Sequence, residues 1–169
     1  MDIRLARPDE YETLGQITLE AYRYLVGGAS YGSYEDELRA VAKHAAECVI
    51  LVAVDGSDTV VGGVTYVPRA GTAMSEFADP DAAGLRMLAV GPQFQGAGAG
   101  RALTEACIAR ARGEGRRRIV LHSTPVMEVA RAMYERLGFV ATPGLDLFVT
   151  RPPYSDDEPL RLIAYVLEL

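Results

Sequence analysis

The sequence predicts one α/β (α+β) domain spanning residues 1–169, with helices packed on a mixed central sheet. Two observations carry this prediction. Apolar positions change repeatedly from a spacing of two to a spacing of three or four, and glycine or proline marks most of the changes. No linker, internal repeat or low-complexity tract divides the chain, and a chain of this length buries on the order of 70% of its unfolded surface.

Ile3 and Leu5 alternate with Arg4 and Ala6, a first strand that stops at Pro8. Leu14, Ile17, Thr18, Ala21 and Leu25 share one helical face, with Asp9 as the N-cap and Gly27-Gly28 as the stop. A second helix is expected over 35–46, with Leu38, Val41 and Ala42 inward. Cys48 to Asp55 is a β-branched apolar run, Gly56-Ser57-Asp58 a turn, and Val60 to Val67 the return strand of an antiparallel hairpin. Residues 68–84 read as a loop and 85–90 as a strand closed by Gly91-Pro92. The segment after Gln95 is a helix ending near Gly113 to Gly115, and Ile119, Val120 and Leu121 form a buried strand. Thr124 suits the N-cap and Pro125 the first turn of a further helix. Its face is Val126, Val129, Ala130, Met133 and Leu137, and Gly138 fits the C′ position. Phe139 opens a strand, residues 143–159 form a Pro-rich loop, and 160–167 are a terminal strand. The predicted order is β-α-α-β-β-β-α-β-α-β-β.

Composition narrows the function. Lys and Arg number 17 against 23 Asp and Glu, a formal charge of −6, which disfavours a nucleic-acid binder because phosphate-backbone affinity needs a cationic face. The longest apolar run, Cys48 to Val54, is too short to span a membrane. Met1-Asp2-Ile3-Arg4 lacks a basic stretch followed by an apolar one, so no signal peptide is read and a cytoplasmic setting is expected. Cys48 and Cys107 show no CxxC spacing and read as buried free thiols. Two histidines, His44 and His122, cannot build a His-rich site, no carboxylate loop has ligand spacing, and no metal is expected.

The informative segment is Leu88-Ala89-Val90-Gly91-Pro92-Gln93-Phe94-Gln95-Gly96-Ala97-Gly98-Ala99-Gly100-Arg101. A glycine-rich turn opening a helix points several unpaired N–H groups at one place, with the positive helix end behind them, which is a phosphate site. A dinucleotide fingerprint, GxGxxG, fails: from Gly96 its third glycine would be Arg101, and from Gly98 it would be Leu103. A P-loop fails for want of lysine. The pattern Q/R-x-x-G-x-G/A is met by Gln95, Gly98 and Gly100.

With that loop, the sequence resembles the GNAT superfamily of acyl-CoA-dependent N-acyltransferases. A second segment, Ala130-x-x-Met133-Tyr134-Glu135-Arg136-Leu137-Gly138-Phe139, is similar to the family's A-x-x-hydrophobic-Y-x-x-x-G-F run. The resemblance implies a mostly antiparallel central sheet, with acetyl-CoA as the acyl donor. It implies a pyrophosphate loop made by Gln95, Gly96, Ala97, Gly98, Ala99 and Gly100, with Arg101 in reach of a phosphate. It also implies pantetheine paired like an added strand with the backbone of Leu88, Ala89 and Val90, and Ala130 and Met133 beside the cofactor. The strands flanking the site are expected to splay apart. Tyr134 is implied as the proton donor to the departing sulfur.

The proton acceptor is less directly marked. Where many relatives carry Glu in the strand before the glycine loop, this chain has Gly84, and where many carry Asn it has Met127. His122, with an ordinary pKa of about 6.5, and Glu76, in the 68–84 loop, are the candidates. The Arg116-Arg117-Arg118 run reads as a solvated turn, with the 3′-phosphate of CoA as its sharper alternative. The acceptor is expected opposite CoA, bordered by the Tyr22–Tyr34 segment and the 68–84 and 143–159 loops. Tyr22, Tyr24, Tyr31 and Tyr34 suit either an aromatic wall or the core. Asp79, Asp81 and Asp156-Asp157-Glu158 would favour an amine. The expectation is an N-acetyltransferase acting by direct attack of a primary amine on a small molecule or peptide, with a homodimer left open. The rivals are a non-catalytic acyl-CoA sensor or scaffold and, further off, an NAD-binding enzyme.

Overall fold

A computed structural model describes residues 1–150, 154 and 156–169. Its strands are β1 (Asp2–Leu5), β2 (Val49–Val54), β3 (Val60–Val67), β4 (Ala82–Val90), β5 (Arg118–Ser123), β6 (Val140–Ala141), β7 (Leu147–Val149) and β8 (Leu160–Glu168). The helices are α1 (Tyr11–Leu25), α2 (Tyr34–Arg39), α3 (Val41–His44), α4 (Ala99–Gly113) and α5 (Glu128–Arg136). The sheet runs β1-β2-β3-β4-β5-β8-β6, with β7 also on β8. Every pairing is antiparallel except β4 with β5, so the mixed, mostly antiparallel sheet is as the resemblance implied.

Period-two alternation buries both faces of the hairpin β2–β3. Leu51, Ala53, Val61 and Tyr66 pack with Leu103, Cys107 and Ala111 of α4. Ile50, Val52, Val54 and Val60 pack with Leu14 and Ile17 of α1 and Val41 of α3. In the hairpin turn, Asp55 Oδ1 accepts the N–H of Ser57 at 2.8 Å and of Thr59 at 3.1 Å, which lets Asp58 adopt φ 60°. Cys107 is buried as predicted, and burial pushes its thiol up to about 12, whereas Cys48 is only half-buried; both are free.

Several local expectations are corrected. Asp9 does not cap α1: a 3-10 turn over Pro8–Glu10 precedes the helix, and Glu10 reaches back to the Arg7 N–H at 2.7 Å. The Arg4 guanidinium, 2.7 Å away, holds the Glu10 carboxyl down to about 2 against the opposing effect of burial. The helix expected over 35–46 breaks at Ala40 into α2 and α3. There the chain crosses α1 backbone to backbone, so a Cβ on Gly15 would lie 2.8 Å from the Arg39 carbonyl. The fourth strand begins at Ala82, not Leu85, because Ala82, Ala83 and Gly84 pair in parallel with Arg118, Ile119 and Val120. Thr124 does not cap α5, which starts after Met127. The Pro-rich stretch contains β7, whose Leu147 pairs with Leu162; its residues 151–153 and 155 lie outside the described residues. Among the described residues no helix is long and apolar enough to cross a membrane.

Candidate active site

The site begins where the sheet comes apart. β4 and β5 pair from Ala82–Arg118 to Gly84–Val120 and no further, while β5 continues along β8 as far as Ser123. The β5-facing edge of β4 from Leu85 to Val90 therefore carries backbone groups with no strand partner. Within that stretch Met87 has φ 54°, and the β3–β4 register shifts between Gly63 and Thr65. This is a bulge, which bends the strand and re-aims the residues beyond it. The opening is a cleft of about 530 Å³ lined by Leu88, Ala89 and Val90, by the glycine loop and by α5.

The loop has the conformation its glycines permit. Gly96 and Gly98 sit at φ 83° and 85°, the left-handed region that other residues enter at a cost of about 1–2 kcal/mol. Gly98 is the N-cap of α4, no side chain caps the helix, and its first turn closes with Ala102 N–H on the Gly98 carbonyl at 3.0 Å. The N–H groups of the first turn thus have no partner within the helix. Gln95, Gly96, Gly98, Ala99, Gly100 and Arg101 line the cleft; Ala97 is not among its lining residues. A Cβ on Gly100 would stand 3.9 Å from Met133 Sδ and from Val90 Cγ2, across the floor of the cleft. Arg101 Nε donates to Glu105 at 2.9 Å, and Arg101 and Arg136 place cations on the rim. Open N–H donors, a helix N-terminus and two arginines fit the phosphates of a nucleotide-bearing thioester.

Across the cleft Ala130 and Met133 contribute to the wall, and Val129 is 85% exposed at the mouth. Tyr134 is 5% exposed and lines neither cavity; its ring packs against Phe139 at 5.7 Å and Tyr165 at 6.3 Å. Its hydroxyl has no hydrogen-bond partner among the described residues. Burial pushes the phenol well above its ordinary value, so it stays protonated and can donate.

Tyr22 and Met127 divide the cleft from a second, smaller cavity of about 60 Å³. Here the structure brings together Glu76 and His122, with Arg86 beside them. Arg86 Nη2 is 3.1 Å from Glu76 Oε1, and His122 Nδ1 is 3.3 Å from Glu76 Oε2, off the line of a good hydrogen bond. His122 Nε2 donates to the Leu145 carbonyl at 2.9 Å. Both ring nitrogens face oxygen acceptors, an arrangement suited to the charged imidazole. Burial opposes that charge, but Glu76 and the Leu145 carbonyl outweigh it and move the His122 pKa up. Gly84 is glycine because Phe77, next to Glu76, fills the space above it: a Cβ there would lie 2.6 Å from Phe77 Cε1.

The tyrosines divide their roles. Tyr31 is buried, edge-on to Tyr22 at 6.0 Å, and donates to the Tyr22 carbonyl at 3.1 Å. Tyr22 and Tyr34 line the small cavity, and Tyr24 is 63% exposed beside the large cleft. The acidic residues do not gather at the site. Asp79 pairs with Arg118, at the opposite end of β5 from His122, and the Asp81 carbonyl accepts the Arg117 N–H. Arg118 also pairs with Glu168 and Arg116 Nη1 donates to the Pro80 carbonyl at 3.3 Å, so two of the three arginines are engaged within the fold. Asp156, Asp157 and Glu158 are exposed. Among the described residues no group of three His, Cys, Asp or Glu could hold a metal ion. Sequence reading gives Arg86 no role: an arginine in an alternating strand carries no signal of the cavity it faces.

The two imidazoles should titrate in opposite directions from 6.5. His44, buried and bonded to Glu37 at 2.9 Å, is moved down by burial, which outweighs Glu37. His122 is moved up. NMR titration of the two ring resonances should show one on each side of 6.5, and Glu76→Gln should bring the higher one down. Two coincident titrations would contradict the Glu76–His122 contact.

A splayed mixed sheet with a helix N-terminus at the split defines an α/β fold with an anion-suited cleft. The model of the acetyltransferase (GNAT) family matches residues 11–139, and the chain belongs to that family. No functionally curated protein sequence matches it. Among solved structures, ribosomal-protein-alanine N-acetyltransferase from Brucella melitensis superposes with TM-score 0.72 at 19% identity, covering 100% of each chain. An acetyltransferase of the GNAT family from Staphylococcus aureus Mu50 gives 0.73 at 14%, covering 99% of this chain and 98% of that one. An acetyltransferase from Salmonella typhimurium, solved with its cofactor acetyl-CoA, gives 0.71 at 18%, covering 100% and 94%. At such identities the likeness concerns the fold.

Proposed function

We propose that residues 1–169 form one cytoplasmic N-acetyltransferase unit that moves the acetyl group of acetyl-CoA to a primary amine. The observation that carries this reading is the uncapped first turn of α4 opening on the split between β4 and β5. Gln95, Gly96, Gly98, Ala99, Gly100 and Arg101 hold the pyrophosphate, and the free edge at Leu88, Ala89 and Val90 takes the pantetheine amides as a neighbouring strand would. Ala130 and Met133 pack on its other side. When bound, acetyl-CoA supplies the acyl carbon: the amine lone pair forms the N–C bond, the C–S bond breaks, and the sulfur leaves as thiolate.

The chain's own groups handle the protons. Glu76 accepts the proton of the incoming ammonium. His122 holds that carboxylate in place; with both nitrogens already facing acceptors, it is a positioning residue and not the base. Tyr134, kept protonated by burial, donates to the sulfur. A thiol-release assay with acetyl-CoA over an amine panel tests the reading. Tyr134→Phe should lower turnover on the order of 100-fold while leaving acetyl-CoA affinity nearly unchanged. Equal turnover would remove Tyr134 from the chemistry. Acetyl-CoA binding without thiol release from any amine would make the chain a binding domain.

A further inference from the structure

The small cavity is richer in donors than an amine requires. A bare ammonium needs acceptors, and the only carboxylate lining this cavity among the described residues, Glu76, already faces two cations, Arg86 at 3.1 Å and His122 at 3.3 Å. With His122 charged, the lining carries two positive groups against one negative. Arg86 carries five N–H donors. Among the described residues it meets Glu76, and its Nη1 makes only long contacts to Met74, at 3.4 Å to the carbonyl and 3.8 Å to the sulfur. Thr124 lines the same cavity, and its Oγ1 is buried with no hydrogen-bond partner. Burial holds the Tyr22 phenol protonated on the facing wall. A buried donor left unpaired is destabilising unless a ligand or water meets it.

Resting on the acetyl-transfer reading above, we infer that the acceptor is a free amino acid, its carboxylate bound by Arg86 and Thr124 and its amine presented to Glu76. At about 60 Å³ the cavity is too small for an amine and an anion set far apart, which points to the two groups of one α-carbon. A peptide N-terminus or an alkylamine satisfies Glu76 but leaves Arg86 and Thr124 without the anion they are arranged for. In the transfer the ammonium gives one proton to Glu76, the neutral nitrogen bonds to the acyl carbon as the C–S bond breaks, the thiolate takes a proton from Tyr134, and the second proton lost by the nitrogen restores Tyr134. The products are an N-acetyl amino acid, free CoA thiol and one proton returned to solvent.

Matched acceptors test this directly. Thiol release is measured for free amino acids, the same amino acids as primary amides, short peptides and alkylamines, with wild type, Arg86→Gln and Thr124→Val. In wild type the acid should exceed its amide in kcat/KM by about tenfold or more, the scale of one charged hydrogen bond. Arg86→Gln should raise KM for the acid and bring the acid-to-amide ratio toward one. Thr124→Val should lower the ratio by less, and calorimetry with acetyl-CoA shows that each variant is folded. Amides or peptides used as well as acids by wild type overturn the inference while leaving acetyl transfer intact. An unchanged ratio in an Arg86→Gln protein that still binds acetyl-CoA overturns it as well. If Arg86→Gln does not fold, the wild-type ratio and Thr124→Val decide alone. No thiol release with any amine overturns both readings together.

Discussion

Gly98→Glu should abolish acetyl-CoA binding, with calorimetric affinity falling by more than about 100-fold, because like charges brought together at an interface are unfavourable by several kcal/mol. Two effects act at this residue and can be separated. Gly98 lies at φ 85°, so any side chain there meets backbone strain of about 1–2 kcal/mol. A Cβ at Gly98 meets nothing within 4 Å, so Gly98→Ala reports that strain without a clash. Alanine should therefore weaken binding about tenfold, and glutamate far more, since its carboxylate competes for the N–H groups that would hold phosphate. An acidic residue suits a helix N-terminus, so the helix itself should survive, and circular dichroism should show unchanged helix content. Wild-type affinity in Gly98→Glu would defeat the assignment of this loop to CoA.

Glu76→Gln should lower turnover on the order of 100- to 10,000-fold, the range for removal of a general base, with acetyl-CoA affinity retained. The separation follows from placement: Glu76 lines the small cavity and not the large cleft. Glu76→Asp keeps the carboxylate but shortens its reach, and should recover part of the rate. Undiminished turnover in Glu76→Gln would show that the amine loses its proton elsewhere.

Some of this was legible in the residues and some was not. Strands β2 and β3 were readable because β-branched apolar runs around Gly56-Ser57-Asp58 admit few other structures. The glycine loop was readable because Gln95, Gly98 and Gly100 answer a local backbone requirement, and Gly98 does adopt the left-handed conformation. Helix starts were misplaced at Asp9 and Thr124 because a capping side chain is only an option. At the first, Glu10 takes the Arg7 N–H instead. At the second, the chain makes one more turn, from the Thr124 carbonyl to the Met127 N–H, before α5 begins. The start of β4 at Ala82 was hidden because small residues resemble loop until a neighbouring strand pairs with them.

The sequence by itself determined most element types, the left-handed glycine turn ahead of α4 and the tyrosine motif. Each depends on contacts within a few residues, where the geometry follows from residue type. Only the tertiary structure decided what fills the space over Gly84 and which groups Glu76 meets. Phe77, 43 residues ahead of Val120 in sequence, packs over Gly84 beside that strand, and the same loop brings Glu76 to Arg86 and His122. That meeting joins a loop to two strands and depends on the end of β4–β5 pairing at Gly84. No local pattern encodes it, because its partners become neighbours only when the sheet has formed.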